Sequence, residues 1–192
     1  MMSGQVYAVF GDVHSNWEAL SAVLPVVLDN CGFEGLYSKL WWSKLIDGTA
    51  VTGVYWEPSA DRGRGDVSLC QIDLMNIYWE PGIRDIQDSA SVYVLDRRPD
   101  AALREDYPEH ARAFEGDAAA GDPFGAGEAG YSTVIDRYYK KGGALHFMRF
   151  VGSELLYASE NDPFMAGGWY AHGKYPFVLD AMYPEAGSLC GF

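Results

Sequence analysis

The spacing of apolar positions changes along the chain, and each change predicts a different element. Residues 5–10, Gln-Val-Tyr-Ala-Val-Phe, form a short apolar run that predicts a buried strand. Ser15 and Glu18 have the spacing of a capping box. Trp17, Leu20, Leu24, Val27 and Leu28 then fall on one helical face and predict a helix over about 17–29. Pro25 lies inside this stretch and is expected to kink it or mark a junction. Gly32 and Gly35 interrupt the pattern. A second helix is expected over about 36–46, with Leu36, Tyr37, Leu40, Trp41 and Leu45 as its stripe and Asp47-Gly48 at its end.

The pattern then turns to strands. Thr49–Trp56 and Asp66–Leu74 are β-rich, and the loop 57–65 between them suits a hairpin. Trp79-Glu80-Pro81-Gly82 is a turn signal, because proline fixes φ and glycine tolerates a positive one. Ser91–Asp96 reads as another strand, and 100–114 as a short, broken helical region. Residues 115–130, rich in Gly, Ala and Asp, read as a flexible loop. A meander follows over 132–139, 144–151 and 154–158, with turns at Lys140-Lys141-Gly142-Gly143 and Gly152-Ser153. The rest is turn-rich around the strand-like Phe177-Val178-Leu179. The fold class expected is therefore α+β, N-terminal helices followed by mostly antiparallel sheet. The stop at Leu189-Cys190-Gly191-Phe192, without a polar tail, suggests a truncated segment.

Composition narrows the classes. Hydrophobic residues make up 48% and charged residues 21%, too apolar a balance for a disordered chain. Aromatics reach 15%, which favours packed sheets or subunit contacts. No apolar run approaches the ~20 residues of a membrane helix, and Met1-Met2-Ser3-Gly4-Gln5 lacks the basic region and apolar core of a secretion signal. An intracellular setting, or an assembly made there, is expected. Cys31, Cys70 and Cys190 are widely spaced and odd in number, which predicts free thiols. The net charge of −13 argues against phosphate-backbone binding as the main activity, since that affinity comes from Lys and Arg.

Few residues are arranged for chemistry. Gly168-Trp-Tyr-Ala-His-Gly173-Lys174 has the letters of a phosphate loop, but Tyr175-Pro176 follows where Ser or Thr and a helix are needed. A turn in an aromatic-rich loop accounts for it better. Arg64-Gly65-Asp66 reads as part of a hairpin loop. The paired carboxylates Asp85 and Asp88, and Glu160 and Asp162, read as solvated loop residues.

Two family resemblances remain. Gly11-Asp12-Val13-His14-Ser15-Asn16, extended by Trp17-Glu18-Ala19-Leu20, resembles the opening of the calcineurin-like metallophosphoesterases. That resemblance implies that Asp12 and His14 ligate one metal of a two-metal centre that activates water. The later elements of the pattern are missing, and His110, His146 and His172 stand in none of them.

From about residue 18 to 192 the chain resembles the portal proteins of tailed bacteriophages and prophages. The resemblance is carried by Tyr37-Ser38-Lys39-Leu40-Trp41-Trp42-Ser43-Lys44-Leu45 and Gly48-Thr49-Ala50-Val51-Thr52-Gly53-Val54-Tyr55-Trp56. Asp73-Leu74-Met75-Asn76-Ile77-Tyr78-Trp79-Glu80-Pro81-Gly82-Ile83-Arg84-Asp85-Ile86-Gln87 is its most telling stretch. Leu156-Tyr157-Ala158-Ser159-Glu160-Asn161-Asp162-Pro163 and His172-Gly173-Lys174-Tyr175-Pro176-Phe177-Val178 continue it.

The portal resemblance implies an atypical N-terminal segment over 1–17 and a partial portal-like domain over 18–192. It implies a homo-oligomeric ring at a capsid vertex of the virion, assembled in the bacterial host cytoplasm. The packaging terminase and the capsid and tail or adaptor proteins would dock there, and double-stranded DNA would pass through without sequence-specific binding. No membrane, catalytic residue, metal or cofactor is expected. The alternative is a metal-dependent phosphoesterase using Asp12 and His14. A third reading is an α+β module that binds some other protein.

Overall fold

Two helices open the computed structural model, which describes residues 17–114, 130–165, 167–170 and 172–191. Helix α1 (Trp17–Asn30) runs on through Pro25. Helix α2 (Phe33–Asp47) begins three residues before its apolar stripe. Gly32, at φ 61, turns the chain in the left-handed region and lets a new helix start at once, and Gly35 is absorbed inside it. Gly48, at φ 75, closes α2 by donating its N–H to the Lys44 carbonyl at 3.1 Å, the usual glycine solution at a helix C-terminus. The strand expected at 5–10 and the cap at Ser15 lie outside the described residues.

The strands, in chain order, are β1 (Thr49–Glu57), β2 (Asp66–Ile72), β3 (Ile77–Trp79), β4 (Ser91–Pro99), β5 (Tyr131–Lys141), β6 (Ala144–Val151), β7 (Glu154–Ala158) and β8 (Phe177–Ala181). They form two antiparallel sheets, ordered β2-β1-β8 and β3-β4-β5-β6-β7. With the preceding helices this is the α+β architecture that the alternation predicts. The strand expected over 66–74 stops at Ile72. There the Asp73 carboxylate accepts the Met75 N–H at 2.9 Å and folds Leu74–Asn76 into a 3-10 turn. Helix α3 (Asp100–Asp106) and a 3-10 turn over Pro108–Ala113 account for the broken helical region. Of the expected loop over 115–130, only Gly130 is described.

The two sheets share one core. Val51, Ile72 and Phe177 from the small sheet meet Val92, Tyr138, Leu145 and Phe147 from the large one. The Tyr138 and Phe177 rings stand edge to face, 5.1 Å apart, a favoured aromatic geometry. A second, smaller core of Leu103, Phe114, Val134, Val151 and Leu156 lies under α3. Helix α2 rests on β1 and β2 but buries none of its residues. Ser43 bonds to Gln71 and Lys44 to Asp180, and Leu36 and Leu40 are half-buried.

Candidate functional site

Side chains alternate along a strand, so Val134, Asp136 and Tyr138 share one face of β5, and Phe147, Arg149 and Val151 share one face of β6. The register sets Val134 opposite Val151, Asp136 opposite Arg149 and Tyr138 opposite Phe147. A charged pair therefore stands between two apolar rungs, facing inward. Arg149 Nε and Nη2 donate to the two Asp136 carboxylate oxygens at 2.7 Å each, and Nη1 donates to the Tyr107 hydroxyl at 3.1 Å. This is the bidentate fork that makes arginine–carboxylate pairs strong and directional. Burial alone pulls the guanidinium down. Hydrogen bonds and charge from Asp136, helped by Tyr107, outweigh that and hold it above its ordinary value.

The pair forms the floor of a cleft of about 570 Å³ between the sheets. Its walls are aromatic, with Tyr138 and Phe147 beside the pair, Tyr55 from β1, and Trp169 and Tyr170 from the loop before β8. Trp169 packs against Phe147 at 4.7 Å and Tyr157 at 5.8 Å between ring centres. The Tyr55 ring lies back over Gly53, where an added Cβ would come 2.6 Å from its Cε2 and 3.0 Å from Cys70 Sγ. Only glycine leaves room for this inward pose. Burial pushes the Tyr55 and Tyr138 phenols above their ordinary range. Glu57, Asp73, Asp96 and Trp56, all exposed, also line it.

The loop wall is fastened along the sheet. Leu145 at the start of β6 pairs with Tyr170 in an antiparallel bridge, with Leu145 donating to the Tyr170 carbonyl at 3.2 Å and Trp169 to the Leu145 carbonyl at 2.6 Å. Gly168 takes φ +87 there, and a Cβ on it would lie 2.6 Å from the Leu145 carbonyl oxygen. The Tyr170 hydroxyl accepts the Trp56 N–H at 3.3 Å, tying the loop to β1. The glycines of Gly168–Lys174 thus serve close backbone approach within an aromatic turn.

Asp12 and His14 lie outside the described residues. Among the described residues no group of His, Cys, Asp and Glu is arranged to hold a metal ion. The histidines are dispersed. His110 Nδ1 meets Glu154 at 2.8 Å, and His172 stacks on Tyr170. His146 Nδ1 lies 3.3 Å from Ser159 Oγ, but Ser159 is fully buried and its hydroxyl accepts the Phe147 N–H at 3.0 Å. That serine continues the sheet ladder past the end of β7 and is closed to a substrate. Asp85 caps a 3-10 turn through the Gln87 N–H, Glu160 holds Lys141 and Tyr139, and Asp162 accepts the Tyr157 hydroxyl. Asp66, of the Arg-Gly-Asp triplet, accepts from Asn30 and from the Val67 N–H. Cys31, Cys70 and Cys190 are free thiols. No helix among the described residues is long and apolar enough to cross a membrane.

No protein-family model matches this chain, and no curated protein matches it.

Sequence reasoning missed the intersheet cleft. The readable signal was Asp136 and Arg149, each a charged residue at the inward position of a strand whose neighbours two residues away are apolar.

Proposed function

We propose that the chain is a structural subunit of a phage portal ring and contributes to the conduit through which DNA is packaged and ejected. The observation that carries this reading is the uncovered apolar surface of α1 and α2. Trp42, Leu45 and Ile46 are 66%, 61% and 64% exposed, and Val23, Leu24, Val26 and Tyr37 are each about half exposed. Apolar side chains concentrated this way on one pair of helices mark an interaction surface. The ordered resemblance of residues 18–192 to portal sequences names the partner as a second copy of the chain. Head-to-tail contacts between copies close into a ring when the subunit rotation permits. The remaining partners follow from the same resemblance: the packaging terminase, the capsid, and tail or adaptor proteins. A conduit needs shape and charge. With a net charge of −13 the subunit is expected to repel DNA phosphates, letting DNA slide.

Sedimentation velocity and negative-stain imaging test this. The 192-residue protein is expected to self-associate heterogeneously as its concentration rises. Trp42→Glu with Ile46→Glu is expected to return it to the monomer, with a melting temperature matching that of the wild-type protein diluted until it too is monomeric, because association itself stabilises the fold. A wild-type protein that stays monomeric at every concentration removes the reading.

A further inference from the structure

The intersheet cleft takes none of its lining from α1 or α2. We infer that it binds a single guanidinium or alkylammonium group. Its volume, about 570 Å³, lies in the range of small-ligand sites, ~300–1,000 Å³. Its charge is one-sided. The lining holds four carboxylates, on Glu57, Asp73, Asp96 and Asp136, against one guanidinium, on Arg149. That guanidinium is already committed to Asp136 and to the Tyr107 hydroxyl. No cation in the lining is left for an anionic ligand, while three carboxylates stand uncompensated by it. Asp96 is exposed, on β4 opposite Val134.

The walls select within the cations. Aromatic faces attract organic cations that shed water easily, guanidinium and substituted ammonium above all. Tyr55, Trp169 and Tyr170 line the cleft, Trp169 packed on Phe147 and Tyr170 stacked on His172, and the Tyr55 pose depends on Gly53. A guanidinium or ammonium entering past Asp96 would exchange bulk water for carboxylate and ring contacts. The shared chemistry could come from the arginine or lysine side chain of a protein segment or from a free polyamine.

The test titrates the 192-residue protein with acetyl-arginine amide, spermidine, neutral acetyl-citrulline amide and inorganic phosphate. Trp56 and Trp169 line the cleft, so intrinsic fluorescence reads occupancy. Acetyl-arginine amide is expected to bind saturably at millimolar concentration and more weakly as salt rises. Acetyl-citrulline amide and phosphate are expected not to bind. Asp96→Asn removes one exposed charge and is expected to weaken binding about threefold, while Glu185→Gln, outside the cleft, leaves it unchanged. Circular dichroism confirms that both variants fold. Preference for the arginine amide identifies a side chain as the source, and preference for spermidine a free polyamine. The inference is overturned if neither cation binds, if the citrulline amide binds equally well, or if Asp96→Asn has no effect. Because the readout is ligand binding, its failure is separate from failure of the ring reading.

Discussion

Removing Arg149 should be among the most damaging single changes in the large sheet, and removing its partner with it should undo much of the harm. The Asp136 and Arg149 side chains are 15% and 27% exposed. Breaking a fully buried ion pair from one side costs about 3–5 kcal/mol, because the remaining charge is stranded. The cleft admits some water, so Arg149→Leu is expected to cost about 2–4 kcal/mol. It leaves the Asp136 carboxylate facing Tyr138 and Phe147 and takes away the Tyr107 hydroxyl's partner. Asp136→Leu is expected to cost a similar amount, since it strands the guanidinium. The double variant strands no charge and fills the rung between Val134–Val151 and Tyr138–Phe147 with apolar side chains. Its loss should fall short of the sum of the single losses by about 2 kcal/mol or more, the range of coupling measured for contacting residues. Urea unfolding followed by tryptophan fluorescence measures all four proteins, and comparable slopes show that one transition is being compared. Additive losses would refute the reasoning. The pair would then behave as a solvated surface bridge, worth about 0–1 kcal/mol.

Three further outcomes are expected. Gly53→Ala places a methyl 2.6 Å from the Tyr55 ring and should destabilise by about 1–3 kcal/mol through overpacking, read as a lower midpoint in thermal melting, whereas Gly82→Ala, strained in φ but in open space, tests backbone strain alone. Stability should fall as pH rises above 10: burial, first among the causes, lifts Tyr139, Tyr157 and Tyr175 from 10.0 to about 12 and raises Tyr55 and Tyr138 as well, so across that window the folded state keeps phenolic protons that the unfolded chain has released. The tyrosinate absorbance owed to these phenols should therefore appear together with loss of far-ultraviolet circular dichroism, and full tyrosinate absorbance from all thirteen tyrosines with the circular dichroism intact would contradict the burial. Finally, Mn²⁺-dependent hydrolysis of a generic phosphodiester should not exceed that of an Asp12→Ala, His14→Ala control, and a mutation-sensitive turnover would favour the phosphoesterase alternative.

The meander β5–β6–β7 was legible because alternation and turn chemistry agree there. Gly142, Gly143 and Gly152 supply the positive φ values, 61, 84 and 55, that the hairpins require. Helix α1 and strand β1 were legible for the same local reason. Strand β3 was not, since three residues are too few for a period to register and its pairing with β4 lies across a loop. The start of α2 was misplaced because Gly32 and Gly35 look alike in sequence, yet only Gly32 takes the left-handed turn. The cleft escaped for a longer-range reason. Trp169 and Tyr170 sit in a turn-rich stretch, and their role depends on a bridge to Leu145, 25 residues away for Tyr170. No local pattern encodes that docking. The inward charges Asp136 and Arg149 were readable as exceptions to the alternation.

The same ion pair has a consequence for how the molecule opens. It sits between two apolar compartments on one sheet face, the large one shared with the small sheet and the lesser one beneath α3. No buried apolar residue belongs to both among the described residues, so opening of the cap formed by α3 and the turn after it is expected to leave the intersheet core closed. Partial openings of that kind divide a domain into separate cooperative units. Amide protons of α3 would then exchange with solvent through a local event, and those of β5 and β6 at the Tyr138–Phe147 rung only when the whole fold comes apart.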